Sequence, residues 1–472
     1  MTSGLDPAAR KRRHRNERIV AAIAIAIVAA AAGSVVWWKQ KVDRDLRDNT
    51  YIPQKVAITP EMELLREYVR IDTSTPAGVA NGARWLAAQL QKRGIQAEII
   101  ESVSPHLNVY ARIRGKARGN GLLLFNHIDV IAPTGEWTHP PFSGAISGDQ
   151  MFGRGALDMK SQAICQLLAF AEIARSGVPP EHDLVFLATA DEETGSRYGM
   201  QWLLANRPDI FADVQYGLTE GGLTELMREK MTYFGIEIGG KQLVALSVDG
   251  PDHESLRRAR MALEPHMFPR EPQRLLPEVA RFMKTIAPTR FAYRPYLADI
   301  EQTIRNGEFW RLPASYRDYL QNTIWVDAPK QLNGRWTMTV QLMNLPDESP
   351  DERIAWLAAA VKPYGARIGE VRVKEGPAPL SPIDNPLFEL LKKEAATRYA
   401  VVAGEQIQYR STSDARFLRP RGIIAYGVAP FPIDFFQSLS IHNANERIRL
   451  QWFTQGIDFM KSVVGQWARG TR

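Results

Sequence analysis

Three apolar runs of strand length each stop at a turn that carries acids or a histidine. They are GLLLFN at 121–126, LVFLATA at 184–190, and the stretch that leads into LTEGG at 218–222. Residues 161–176, between the first two, have helical spacing. Strands that alternate with helices argue for an α/β sheet covered by helices. In open sheets of that kind, the loops at the carboxyl ends of the strands hold the ligand-binding groups.

The same pattern extends outward. Helical spacing at 61–69 and 83–93 precedes strand-like runs at 97–100 and 108–113. From about 239 the pattern changes to a strand at 242–248, a long Pro-interrupted helical stretch, a strand at 337–342 and an amphipathic helix at 350–362. This reads as an inserted α+β domain over 239–368. The α/β pattern resumes over 369–472 with a helix at 386–399, a short strand at 422–426 and a terminal helix at 445–464. The catalytic domain is therefore expected in two parts, 61–238 and 369–472.

Composition narrows the chemistry. Cys165 is the only cysteine, so a cysteine-built metal site and an intrachain disulfide are both excluded. The formal charge is +7, but the tail at 1–18 holds Arg10, Lys11, Arg12, Arg13, Arg15 and Arg18 against Asp6 and Glu17. The remainder has no broad basic patch of the kind nucleic acid requires.

Residues 19–38 carry no charge and end in Trp37 and Trp38; as a helix they would rise about 30 Å, the thickness of a hydrocarbon core. Basic residues before the segment outnumber those just after it. The expectation is a single-pass anchor with a cytoplasmic tail, a polar tether over 39–60 and an extracytoplasmic catalytic domain. Small residues at 29–33 leave open a cleaved signal peptide and a secreted or periplasmic product.

His127 and Asp129 follow the first apolar run, and an H-x-D pair suits a metal because a carboxylate fixes the imidazole tautomer. Asp158 lies between a Gly-rich turn and a helix, Glu192 and Glu193 follow the second run, Glu220 lies in LTEGG, and His442 precedes the last helix. Taken singly, these are ordinary turn acids, a helix cap and a loop histidine. Together they offer carboxylate and imidazole ligands on loops that follow strands.

The segments NHIDVIAP, W-x-x-x-P-F, GRGALDMK, DEETGS, LTEGG, RSTSDARF and IHNANER, in that order, resemble the two-zinc peptidase family. That family includes aminoacylase, acetylornithine deacetylase, succinyl-diaminopimelate desuccinylase, glutamate carboxypeptidase and carboxypeptidase S; Glu at 220 looks like the carboxypeptidase S and aminoacylase branch. The resemblance implies that Asp158 bridges two Zn2+ ions, with Co2+ or Mn2+ as substitutes. His127 and Glu220 would complete one site, and Glu193 and His442 the other. It further implies that Asp129 orients His127 and that Glu192 is the general base in hydrolysis of a peptide or N-acyl amino acid by metal-bound hydroxide. The alternative is a catalytically retired, membrane-anchored binding protein on the same fold.

The resemblance also makes His253, in VDGPDHES, a lid histidine that donates to the developing oxyanion, in family dimers often in the neighbouring subunit's site. A homodimer through the inserted domain follows from that reading. Thr412 matches a loop at the substrate's carboxylate end. Relatives place an arginine three residues before a proline in a lid strand, whereas this chain has Met343 there, so Arg410 and Arg416 are the candidates to grip a substrate carboxylate.

Overall fold

The apolar runs form the centre of a mixed sheet. A computed structural model describes residues 56–470, apart from 223, 228–229, 268–271, 273, 409–412 and 434. The tail, the anchor and most of the tether lie outside the described residues. Among the described residues, no helix is long and apolar enough to cross a membrane.

The main strands are β1 (Glu98–Val103), β2 (His106–Ile113), β3 (Ala117–His127), β4 (His182–Thr189), β5 (Val214–Thr219), β6 (Lys230–Gly240), β7 (Gln242–Gly250), β8 (Thr323–Val326), β9 (Arg335–Asn344), β10 (Arg367–Lys374), β11 (Val402–Gln408) and β12 (Ile424–Gly427). The first sheet runs β1-β2-β4-β3-β5-β12-β6-β11, and a short strand, Thr224–Met227, pairs with β6. β3 is parallel to β4 and β5, and β12 is parallel to β5. Register pairs His127 with Thr189 and Leu124 with Leu218. The turns after β3, β4 and β5 therefore emerge side by side.

These strands read as unbroken apolar runs because both faces of the sheet are covered. Leu122, Leu124 and Phe186 join the core beneath helices α3 (Lys160–Ser176) and α7 (Leu450–Ala468), whereas Leu123, Phe125 and Leu187 join a second core with Met200, Leu203 and Leu418. Each such side chain contributes about 1.5–3 kcal/mol on burial. Helix α2 (Pro76–Gln91) begins earlier than its spacing suggests. Thr75 caps it by accepting from Gly78 N at 3.2 Å, and Pro76 occupies its first turn.

The second sheet, β8-β9-β7-β10, is antiparallel. It packs on α4 (His253–Met267) and α5 (Pro350–Val361) through Val244, Leu246, Val340, Leu256 and Leu357. The inserted segment differs from expectation in two ways. β10 continues to Lys374, past the boundary read at 368. The helical stretch from Pro277 to Leu320 joins the core of the first sheet: Phe282 packs on Tyr233 of β6, and Arg281 pairs with Glu405 of β11 at 2.6 Å.

Candidate metal centre

The β3 turn delivers His127, 3% exposed, with its Nδ1 2.8 Å from the carbonyl oxygen of Asp129. When Nδ1–H donates there, Nε2 is left as the ligand atom. That Nε2 lies 3.1 Å from Asp158 Oδ1 and 3.5 Å from Glu220 Oε1. On the other side, His442 Nε2 lies 3.1 Å from Asp158 Oδ2 and 3.1 Å from Glu193 Oε2. The five side chains thus form two sets of three, His127–Asp158–Glu220 and Asp158–Glu193–His442, which share Asp158. The ligand atoms of each set lie within 4.8 Å of one another.

Each element positions its residue for a local reason. Asp158 precedes α3 on a loop held by Glu446, a carboxylate outside the expected site residues. Glu446 is fully buried and accepts from Leu157 N at 2.8 Å, Asp158 N at 3.1 Å, Gly155 N at 3.1 Å and Arg154 Nη1 at 2.6 Å. Its signal was present four residues after His442, within IHNANER. Glu192 and Glu193 open the 3-10 turn Glu192–Thr194, and both their amides donate to the Asp129 carboxylate, each at 3.0 Å. Asp129 therefore acts differently from the expectation. Its backbone carbonyl is what meets the imidazole, its nearest carboxylate oxygen being 3.7 Å from His127 Nδ1, and its carboxylate holds the turn that carries Glu192 and Glu193.

The electrostatics are those of a crowded donor set. Burial and the charge of Asp158 push Glu220 well above the usual carboxylate range and also raise Glu193. Burial opposes ionisation of Asp158, but hydrogen bonds to His127 and His442 hold it well below its ordinary value. Hydrogen bonds to Asp158 and Glu193 push His442 up to about 11. Burial works against the charged form of His127, yet Glu220, Asp158 and Asp129 hold it well above the ordinary histidine value. Three carboxylates and two imidazoles around a shared aspartate fit a pair of divalent cations, and zinc, cobalt and manganese all accept such ligands.

The sets open on a cavity of about 420 Å³ also lined by Glu192, Glu237, Glu375, Arg416 and Phe431. Arg416 is committed to protein carboxylates: Nη1 donates to Glu192 Oε1 at 2.8 Å, and Nε lies 3.0 Å from Glu375 Oε1. Asp414 braces the same region by accepting from Thr189 Oγ1 at 3.1 Å and from Ser196 Oγ. Burial, followed by the charge of Glu192, pushes Asp414 up to about 6. Other expected residues are not brought here. His253 is exposed at the start of α4, edge-on to Trp336 at 5.1 Å, and does not line this cavity. Met343 sits in β9 opposite Leu243 and Thr323. Arg410 and Thr412 lie outside the described residues.

Known proteins share this arrangement of chain. Residues 123–466 match peptidase family M20/M25/M40. The chain is 33% identical over 154 residues to a succinyl-diaminopimelate desuccinylase of Gluconobacter oxydans, which covers 31% of this chain and 39% of that protein. It thus spans about two-fifths of the length of the curated relatives it matches. An M20 family metallo-carboxypeptidase from Sulfolobus solfataricus superposes with a TM-score of 0.67 at 18% identity, over 87% of this chain and 100% of that one. A dinuclear metal binding peptidase of the M20 family from Bacillus subtilis gives 0.52 at 11% identity, over 86% and 98%. At these identities the structural likeness is one of fold, whereas the sequence match over residues 123–466 takes in every strand-end turn described above. The chain belongs to peptidase family M20/M25/M40.

Proposed function

We propose that the protein hydrolyses the amide bond of a peptide or N-acyl amino acid at two divalent cations, zinc by default. His127, Asp158 and Glu220 would hold one, and Asp158, Glu193 and His442 the other. The observation that carries this reading is the placement of Asp158, whose two carboxylate oxygens each lie 3.1 Å from a different histidine, with a further carboxylate completing each set.

When bound, the cations supply Lewis acidity for the attacking water and the scissile carbonyl. Glu192 lines the same cavity. It takes the proton as the water oxygen bonds to the carbonyl carbon, then passes it to the amine nitrogen as the C–N bond breaks. Asp129 keeps the turn of Glu192 and Glu193 in place through two amide bonds. His253 is assigned to the neighbouring subunit's oxyanion in a homodimer. Its exposed position away from its own cavity supports that role. Residues 19–38 are assigned as the membrane anchor on sequence alone.

The test is a panel of dipeptides and N-acyl amino acids offered to the full-length protein, with and without added zinc. Hydrolysis that depends on the cation supports the reading. Tight cation uptake with no cleavage across the panel would favour a binding protein instead.

A further inference from the structure

Arg416 is a buried cation between two carboxylates, its side chain 10% exposed. On one side, Nη1 donates to Glu192 Oε1 at 2.8 Å. On the other, Nε lies 3.0 Å from Glu375 Oε1. Among the described residues, no side chain bonds the second oxygen of Glu192. Arg416 thus holds one oxygen of Glu192 by a charge-assisted bond, and Glu192 lines the cavity.

Glu375 occupies a particular place in the chain. It is the residue after β10, where the chain leaves the second sheet, and Leu243 lies near the start of β7, where the chain enters it. Glu375 N donates to Leu243 O at 3.0 Å, and Glu375 Oε2 accepts from Leu243 N at 2.7 Å. One side chain thus ties together the two strands that join the sheets, and its other oxygen faces Arg416.

We propose that Glu375 and Arg416 are positioning residues for Glu192, and that through them the placement of the inserted sheet sets the orientation of the base. The inference rests on the reading of Glu192 as the base. It also gives Arg416 a different task from gripping a substrate carboxylate, since that would require it to release Glu192 or Glu375. The guanidinium meets Glu192 through a directed hydrogen bond and Glu375 as a close ion pair, whereas a lysine ammonium is a point charge without the planar fork. Among the described residues, the contact seen between Glu375 and the base runs through Arg416, so the effect of Glu375 should vanish when Arg416 is changed.

The test uses the full-length, zinc-loaded protein and the best substrate of the panel. Glu375→Gln should lower kcat about tenfold and Arg416→Lys roughly a hundredfold, with KM moving less than about twofold, the signature of an interaction used in the transition state. Bound zinc per chain should not change. In the double variant, Glu375→Gln should cost nothing beyond Arg416→Lys. Multiplied effects would overturn the relay through Arg416, and a rise in KM at constant kcat would return Arg416 to substrate binding.

A readout independent of turnover is hydrogen exchange of residues 191–199 without substrate. Exchange should quicken in Glu375→Gln and more in Arg416→Lys, with the double variant matching Arg416→Lys. Unchanged exchange in Glu375→Gln overturns the proposal. If Arg416→Lys does not fold, Glu375→Gln decides alone, by kcat against KM and by exchange. Glu192→Gln run in parallel separates the two readings: retained activity there removes the base assignment itself, whereas loss of activity alongside multiplied effects overturns only the relay.

Discussion

Glu446 stands directly behind Asp158, its carboxylate accepting the Asp158 amide at 3.1 Å while also pairing with Arg154 at 2.6 Å. The residue shared by both ligand sets is thus held by a buried ion pair from the far end of the chain. Removing one partner of such a pair leaves the other charged and unpaired, at a cost of about 3–5 kcal/mol. Glu446→Ala should lose stability of that order in urea unfolding. Glu446→Gln, which keeps an acceptor for the amides, should lose less. Cation affinity, measured by competition with a chelator, should fall about 10–100-fold in Glu446→Gln. Unchanged affinity would show that the loop holds Asp158 without it.

Glu192→Gln should reduce kcat by about 10²–10⁴, with cation content per chain unchanged by elemental analysis. Full activity in this variant would remove Glu192 as the base.

Cation uptake should strengthen as pH rises. In protein stripped of cations, Asp158 and Glu193 raise His442 to about 11, and neighbouring carboxylates hold His127 well above its ordinary value. His442 therefore carries a proton at neutral pH and must lose it to become a ligand, so binding releases protons. Calorimetry in buffers of different ionisation enthalpy should detect that release, and affinity should climb between pH 6 and pH 8. A flat profile would mean that the histidines are not ligands.

Mixing His253→Ala chains with Glu192→Gln chains should restore partial activity if His253 serves the neighbouring subunit, because some sites then have both groups intact. The check is turnover of the mixture against either variant alone. A mixture no more active than its parts places His253 outside the reaction.

Much of this was legible in the sequence where local chemistry decides. The helix at Pro386–Tyr399 matches its reading residue for residue, because Asn385 caps it and Pro386 opens it. The central strands were legible because burial on both faces leaves an unbroken apolar run. β6 and β11 were missed. FGIEIGG and VAGEQIQ mix glycine and polar residues, and the pairing of these strands supplies the order their composition does not.

The sequence by itself determined which residues have the chemistry: imidazoles and carboxylates placed after strands, and arginines nearby. Tertiary structure alone decided which partner each one meets. The amphipathic helix Pro277–Ile286 shows one apolar face in its spacing, but only packing assigns that face to the first sheet. Likewise, nothing near position 416 reveals that its guanidinium faces Glu192 and Glu375. The physical reason is range. Caps and hydrophobic periods act over a few residues, whereas an ion pair between residues 224 apart exists only once the sheet has brought their loops together.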